Sequence, residues 1–242
     1  MPGIEEVEDG VYRRTALRAG RPGVVTVDPN DPGPDERARL VLGLDQDTER
    51  IDAALAADAL LAPLVEARPG LRVPGAWDGF ELAVRAVLGQ QVSVAAGRGL
   101  AERLALRHGE RLAEPVGGLV RLFPAAERLA DAEIGGMPAS RARALVALAR
   151  AVVGGLVIDE RQDLDDARAA LLELPGIGPW TVEYVAMRAL RDPDAFPASD
   201  LVLRNALGGI SEREALARAE AWRPWRAYAA MHLWTATAAP NP

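Results

Sequence analysis

A short segment in the last third of the chain constrains the fold more than any other feature. It reads Leu174-Pro-Gly-Ile-Gly-Pro-Trp180, and apolar residues recur at helical spacing on both sides of it. Pro175 and Gly176 end the first helix, whereas Pro179 suits the first turn of the next helix, where no amide donor is needed. The segment therefore predicts two helices that meet at a very tight turn, with glycine backbone open to close approach.

This turn is suited to holding an anion. Amides at the start of a helix lack intrahelical acceptors, and the helix dipole favours negative charge there, so a phosphodiester is the obvious occupant. Binding of this kind needs no net positive charge, which matters because the formal net charge is -7 and disfavours a broad basic surface for nucleic acid. The alternative is an ordinary helical corner in which Gly176 and Gly178 serve only packing.

Composition removes several classes of chemistry. The 242 residues include no cysteine and only two histidines. Disulfides, thiolate zinc sites, iron–sulfur clusters and cysteine nucleophiles are therefore excluded, and a histidine-rich metal site is disfavoured. No apolar run reaches the ~20 residues that span a bilayer, and the N-terminus lacks the pattern of a signal peptide. We expect a cytoplasmic protein with no membrane partner.

The hydrophobic pattern changes near residue 70. Before it, strand-like alternation at 10–15, 23–27 and 39–44 predicts a small sheet, with a hairpin turn at 18–22, a proline-rich loop at 28–34 and one helix after Asp45. After it, the helical period predicts six helices, at 80–88, 94–106, 142–153, 164–174, 182–190 and 225–234.

These patterns predict a mainly α protein with a small α+β N-terminal domain. We place that domain at residues 1–70 and a helical domain at 71–242, with the helix–turn–helix segment at about 165–190. Helix boundaries are signalled by Ser140, by Asp165 and Asp166, and by the glycine pair that starts at Gly154.

An acid and two aromatic residues follow the tight turn. The run Asp192-Pro-Asp-Ala-Phe-Pro-Ala-Ser-Asp200 is a proline-fixed loop that ends where another helix begins. As structure alone, Asp200 or Ser199 is a helix N-cap. Trp180 and Tyr184 are four residues apart and share a helix face, so they either line a pocket or belong to the core.

These segments together resemble the helix-hairpin-helix DNA glycosylase superfamily, and they are most similar to bacterial 3-methyladenine DNA glycosylase II (AlkA-like) enzymes. The resemblance covers essentially the whole chain except its start. It rests on the turn with Thr181, on Tyr184-Val-Ala-Met-Arg188, and on matches in the same order at 67–75, 84–94, 136–138, 196–201 and 222–234.

The resemblance implies a fold, an activity and partners. It implies a helix-hairpin-helix enzyme of base excision repair that flips an alkylated base out of double-stranded DNA and hydrolyses its N-glycosidic bond. It also implies a bacterial monomer, associated with the nucleoid when acting, that requires no cofactor.

The resemblance also assigns roles to individual residues. Asp200 would stabilise the positive charge that develops on the sugar, and aromatic rings would bind a cationic base. Gln91 stands at the wedge that fills the gap left by the flipped base, where the family has an apolar residue. The base pocket would comprise Trp180, Tyr184 and Trp234. The residues that contact DNA would be Gln90, Gln91, Gly176, Gly178 and Thr181. A structural Na⁺ or K⁺ would be bound by the carbonyls of Leu172, Leu174 and Ile177.

The chain departs from the family in three places. Gln91 is polar, Thr235 replaces a pocket aromatic, and the chain begins partway through the family's N-terminal domain. The last two departures suggest an open pocket and a lesion range that extends to hypoxanthine, ethenoadenine or 1-methyladenine. Arg141 and Arg143 suit phosphate contact, but exposed arginines on a helix are more often only solvated.

Two other functions remain open at this stage. One is a non-catalytic helix-hairpin-helix protein that only binds DNA, which would need no acid at Asp200. The other is a bifunctional glycosylase/lyase. Trp180 stands where such enzymes have a Schiff-base lysine, and the absence of cysteine excludes their iron–sulfur cluster.

Overall fold

Helices dominate the part of the chain that the computed structural model describes, which is Met1 and residues 4–9, 11–18, 21–28 and 35–237. The predicted mainly α fold with a small N-terminal sheet is confirmed. The helices are α1 (Glu36–Leu42), α2 (Thr48–Leu55), α3 (Ala62–Ala67), α4 (Gly79–Gly89), α5 (Val94–His108), α6 (Ala126–Ala130), α7 (Ala139–Val153), α8 (Leu164–Leu172), α9 (Pro179–Arg188), α10 (Leu201–Ala206), α11 (Glu212–Ala219) and α12 (Arg226–Thr237), with a 3₁₀ helix at Glu220–Trp222.

The N-terminal sheet has three antiparallel strands in the order β1 (Glu5–Glu8), β2 (Val11–Arg18) and β3 (Arg21–Val27). Val25 and Val27 of β3 point inward and are buried, as strand alternation requires. The strands predicted at 10–15 and 23–27 are confirmed by β2 and β3, except at residue 10, which lies outside the described residues. Strand β1 was not predicted. Residues 19–20 of the predicted turn and 29–34 of the predicted loop lie outside the described residues.

The strand predicted at 39–44 is wrong, because residues 39–42 belong to helix α1 and residues 43–44 form the turn that ends it. Asp35 caps that helix by accepting a hydrogen bond from the Ala38 amide, and Gly43 ends it at φ 65°. Periodicity does not separate a short apolar run in a strand from one in a helix. The cap and the terminating glycine decide the outcome here.

Other elements of this region also differ from the prediction. Two helices, α2 and α3, follow Asp45 instead of one. A second antiparallel hairpin, β4 (Arg111–Val116) and β5 (Leu119–Arg121), packs near the sheet, although no strand was predicted there.

All six predicted helices after Trp77 are present, and the differences concern their ends. Helix α7 begins at Ala139 with Pro138 as its N-cap, so Ser140 is not the cap. Asp163 caps α8, and Asp165 and Asp166 lie in its first turn instead. Gly154 ends α7 as predicted. Sequence patterns locate a helix better than its exact ends.

The main hydrophobic core runs from Ile51 to Leu233 and joins most of the helices, whereas a small separate cluster lies between the sheet and α1. Helix α4 is at the centre of the main core, with contacts to α5, α7 and α9. Ala83, Val84 and Val87 of α4 are completely buried. The main core therefore extends to α2 and α3, within the residues assigned to the N-terminal domain by sequence.

A buried ionic network joins the sheet to α4. Arg14 of β2 pairs with Glu81, and each residue is only 5% exposed. Arg85, one turn further along α4, pairs with Glu81 at 2.5 Å and with Glu5 of β1 at 2.7 Å. Burial raises the pKa of Glu5, but the hydrogen bond and charge of Arg85 outweigh it and lower this pKa to about 2. The network fixes the start of α4 against the sheet.

Replacement of Arg14 by alanine should destabilise the protein by about 3 kcal/mol, because it breaks the buried pair with Glu81 and leaves that carboxylate with Arg85 alone. Arg13→Ala is the matched control, since Arg13 precedes Arg14 on β2 and its ion pair with Glu8 is exposed. The control should lose less than about 1 kcal/mol. Urea denaturation of both variants measures the difference, and equal losses would contradict a structural role for the network.

Candidate functional site

Helices α8 and α9 meet at the tight turn that the sequence predicts. Pro179 is the first residue of α9, and Gly178 precedes it as an N-cap without a side chain. Gly176 has φ 81°, and a Cβ added to it would lie 2.8 Å from the Ala144 Cβ of α7. A Cβ added to Gly178 would meet no atom within 4 Å. The first glycine is thus required by the fold, and the second leaves the backbone open.

The loop between α4 and α5 braces this turn. The side-chain amide of Gln90 donates to the Gly176 carbonyl at 3.0 Å and to the Thr181 hydroxyl at 2.9 Å. Arg141 at the start of α7 donates to the Gln90 carbonyl at 2.6 Å. Thr181 is buried as a whole residue, and its hydroxyl is already engaged by Gln90. The predicted contacts of Gln90 and Thr181 with DNA stay predictions.

Gln91 is the exposed tip of the same loop. It adopts φ 55°, in the left-handed region that a residue with a side chain seldom occupies. Backbone strain of this kind is held by its surroundings and is frequent at binding sites. Val94, the first residue of α5, is 74% exposed, and Leu201, the first residue of α10, is 65% exposed. The sequence analysis did not single out these two residues.

Ionic contacts position the loop that ends at Asp200. Arg168 of α8 pairs with Asp192, and Arg226 of α12 pairs with Asp194 at 2.8 Å. The two acids that flank the first proline of this loop are therefore each fixed by an arginine of a different helix. The contacts hold the start of the loop between α8 and α12, and buried residues 195–198 continue it to Asp200.

The Asp200 carboxylate accepts three hydrogen bonds. The Trp180 indole donates to Oδ2 at 2.8 Å, the Trp234 indole to Oδ1 at 3.1 Å, and the Leu203 amide to Oδ1 at 2.9 Å. Asp200 is thus the N-cap of α10, as its position suggests, but a cap does not require two indole donors. Three donors from three helices fix the plane of this partly exposed carboxylate.

The aromatic cluster consists of Trp180, Tyr184 and Trp234, the residues predicted to form a pocket. The Trp180 and Tyr184 rings are stacked, with centroids 5.3 Å apart and an angle of 7°, and Trp234 is tilted by 60° to Tyr184 at 6.3 Å. All three side chains are partly exposed, unlike the residues of the core. Trp180 and Trp234 are thus hydrogen-bonded to Asp200, and Tyr184 joins them through ring contacts.

Arg188 is a member of this neighbourhood that sequence reasoning did not select. Its guanidinium donates to the Tyr184 hydroxyl at 3.0 Å and to the carbonyls of Pro74 and Gly75. Its spacing could have identified it, since Arg188 follows Tyr184 by four residues on α9 and so lies on the same face.

Thr235, which follows Trp234, donates its hydroxyl to the carbonyls of Met231 and His232.

The three carbonyls predicted to bind a cation lie at the end of α8 and in the turn. The Ile177 amide donates to the Leu174 carbonyl at 3.1 Å, which leaves one lone pair of that oxygen. Within the described part of the chain, no hydrogen-bond donor to the Leu172 or Ile177 carbonyl is found. These oxygens suit a hard cation by type.

Two further properties bear on the kind of site. None of the described helices combines the length and the apolar character needed to cross a bilayer. Over the same described ranges, no three His, Asp or Glu side chains are grouped as metal ligands.

Comparisons with known proteins agree with this geometry. The family model described as the AlkA N-terminal domain matches residues 34–78. A 3-methyladenine DNA-glycosylase from Archaeoglobus fulgidus superposes with a TM-score of 0.80 at 24% identity, over 95% of this chain and 88% of that one. The fold is that of the helix-hairpin-helix DNA glycosylases.

Relatives in sequence define the family. DNA-3-methyladenine glycosylase 2 of Escherichia coli is 36% identical over 97% of this chain and 88% of that protein. A Mycobacterium tuberculosis protein named probable bifunctional transcriptional activator/DNA repair enzyme AlkA is 44% identical over 97% of this chain. The chain spans about half of that protein, 52% of its length. The chain belongs to the DNA-3-methyladenine glycosylase 2 (AlkA) family.

The two glycines of the turn should respond differently to alanine. Gly176→Ala combines a left-handed φ with a clash against Ala144, so it should cost at least about 2 kcal/mol of stability. Gly178→Ala should leave stability within about 0.5 kcal/mol and weaken binding to duplex DNA, because its Cβ projects into open space beside the α9 amides. Thermal unfolding and fluorescence anisotropy separate these effects, and a destabilised Gly178→Ala with normal DNA binding would contradict the distinction.

Proposed function

We propose that the protein is a monofunctional DNA glycosylase of base excision repair, which hydrolyses the N-glycosidic bond of alkylated bases such as 3-methyladenine in double-stranded DNA. The observation that carries this proposal is the Asp200 carboxylate, held by the indoles of Trp180 and Trp234 beside partly exposed aromatic rings. The family relationship supports the same activity.

Asp200 would act on the charge of the transition state. Cleavage of a glycosidic bond builds positive charge on the sugar, and a carboxylate whose position is fixed in advance stabilises that charge without reorganisation. Its remaining lone pairs can also orient the attacking water. Both indoles donate to it and neither accepts, so they fix the oxygens without competing for a proton.

The aromatic cluster would bind the flipped base. Electron-rich rings stack on any base, and a cationic alkylated base gains an additional cation–π attraction. Such a base is also a good leaving group, so a single carboxylate suffices for its release. The partial exposure of Trp180, Tyr184 and Trp234 supports a base pocket over a purely structural cluster.

The turn between α8 and α9 would hold a DNA phosphate. The open backbone at Gly178, the unpaired amides of the first turn of α9 and the helix dipole together attract an anion. We also propose that a Na⁺ or K⁺ ion bridges this turn to the phosphate through the Leu172, Leu174 and Ile177 carbonyls. Gln91, exposed and left-handed, would enter the gap left by the base, and the protein would act as a monomer.

A specific observation disfavours each alternative function. A protein that only binds DNA needs no carboxylate with two indole donors. A lyase needs an amine at position 180 to form a Schiff base, and the indole of Trp180 is instead hydrogen-bonded to Asp200. The expected product is therefore an intact strand with an abasic site.

Asp200→Asn should lower the rate of base release by about 10³-fold, because it removes the negative charge while asparagine still caps α10. Asp163→Asn is the matched control, since Asp163 also caps a helix but has no aromatic donor, and it should keep full activity. The measurement is single-turnover release of free bases from methylated duplex DNA, resolved by chromatography. Equal rates for wild type and Asp200→Asn would show that Asp200 is only a cap.

A further inference from the structure

Arg188 contacts Tyr184 in a way that fixes the direction of a hydrogen bond. Its guanidinium lies 3.0 Å from the Tyr184 hydroxyl oxygen and also donates to the carbonyls of Pro74 and Gly75. A guanidinium has donors and no acceptor. The Tyr184 oxygen must therefore accept this hydrogen bond, and the phenol proton must point away from Arg188.

No protein acceptor is available for that phenol proton within the described part of the chain. The only hydrogen bond of the Tyr184 hydroxyl there is the one from Arg188. The nearby Trp234 indole is a donor that is already bonded to Asp200. The Tyr184 side chain is partly exposed within the aromatic cluster, so its proton is free for a ligand.

We propose that Arg188 is a positioning residue that presets the Tyr184 hydroxyl as a hydrogen-bond donor to the flipped base. The inference rests on the proposed function and deepens it. The donor recognises a base with an acceptor atom, such as a purine ring nitrogen or an exocyclic oxygen, and assists the release of neutral damaged purines more than that of cationic ones.

The chemistry of the leaving base explains why such a donor matters. The glycosidic bond breaks with its electron pair on the base, and water supplies a hydroxyl group to the sugar. The remaining proton of that water goes to the solvent when the base leaves neutral, and to the base when it leaves with negative charge. A cationic base becomes neutral as it leaves, whereas a neutral base develops negative charge. A hydrogen bond from Tyr184 stabilises that charge without transfer of the phenol proton. Only the neutral base therefore depends strongly on it.

The charge of Arg188 acts in the same direction. A cation bonded to the phenol oxygen polarises the O–H group and strengthens its donation, since neighbouring hydrogen bonds reinforce one another. The guanidinium carbon also lies 5.7 Å from the Tyr184 ring centroid. At that distance its positive charge opposes the attraction of the ring for a cationic base. Arg188 thus shifts selectivity towards neutral bases by both effects.

The test compares a neutral with a cationic lesion in one sequence context. Single-turnover release is measured on duplexes that carry hypoxanthine or 7-methylguanine, with wild type, Tyr184→Phe, Arg188→Met and Arg188→Lys. Tyr184→Phe keeps the stacked ring and should slow hypoxanthine release about tenfold, the effect of one hydrogen bond. Release of 7-methylguanine should fall less than release of hypoxanthine, so the ratio of the hypoxanthine rate to the 7-methylguanine rate should drop. Arg188→Met should lower the ratio of the hypoxanthine rate to the 7-methylguanine rate in the same way. Arg188→Lys should recover part of the lost hypoxanthine rate.

A double mutant and a control separate positioning from structural support. The double mutant Tyr184→Phe/Arg188→Met should change the ratio of the two rates no more than Tyr184→Phe alone, because the two substitutions disrupt the same interaction. Arg72→Met is the control, since Arg72 also donates to backbone carbonyls, those of Gly43 and Gln46, but not to Tyr184. It should leave the ratio of the two rates unchanged.

Several results would overturn the inference. Equal slowing of both lesions by Arg188→Met, or an additional bias from Arg188→Met in the Tyr184→Phe background, would reduce Arg188 to a structural role. If Arg188→Met does not fold, an unchanged ratio in Tyr184→Phe decides against the proposal. Wild type that releases 7-methylguanine but not hypoxanthine would overturn the inference and leave the proposed function intact. Wild type that releases neither would overturn the proposed function itself.

Discussion

The hydrogen bonds from Trp180 and Trp234 to Asp200 are the interaction on which the site depends. They join α9, α10 and α12 at one carboxylate, so every element that positions those helices also positions the acid. Arg168 and Arg226 hold the loop before Asp200, and the buried core holds α9 through Val182, Val185 and Ala186. The fold thus fixes the orientation of this carboxylate before any ligand binds, which is the preorganisation that electrostatic catalysis requires.

The proposed DNA contacts explain how an acidic chain could bind a polyanion. They would use backbone amides at the start of α9 and an exposed loop tip, not an excess of basic residues. Many arginines of the chain instead make contacts within the protein. Arg14 forms an ion pair with Glu81 between the sheet and α4, and Arg188 donates a hydrogen bond to the Tyr184 hydroxyl. Net charge alone is therefore a poor guide to the partner of this chain.

The sequence predicted the helical region well and the N-terminal region less well. Helices with a sustained apolar stripe, such as α4 and α7, are encoded by local periodicity. The segment at 39–44 is too short for periodicity to decide, and the end of α1 depends on Asp35 and Gly43. The residues Asp200, Trp180 and Tyr184 were found through their spacing and the resemblance. Arg188 and the indole bonds to Asp200 depend on side-chain directions that no spacing specifies.

We propose that Asp200 stabilises positive charge on the sugar, and the binding of charged and neutral nucleotide analogues measures this stabilisation. One duplex carries a pyrrolidine in place of the damaged nucleotide, with a cationic nitrogen that mimics the charged sugar, and a second carries a neutral tetrahydrofuran. Wild type should bind the pyrrolidine duplex at least about 100-fold more tightly, and Asp200→Asn should lose this preference while it keeps its affinity for tetrahydrofuran. An equal preference in both proteins would show that the charge of Asp200 does not stabilise a cationic sugar.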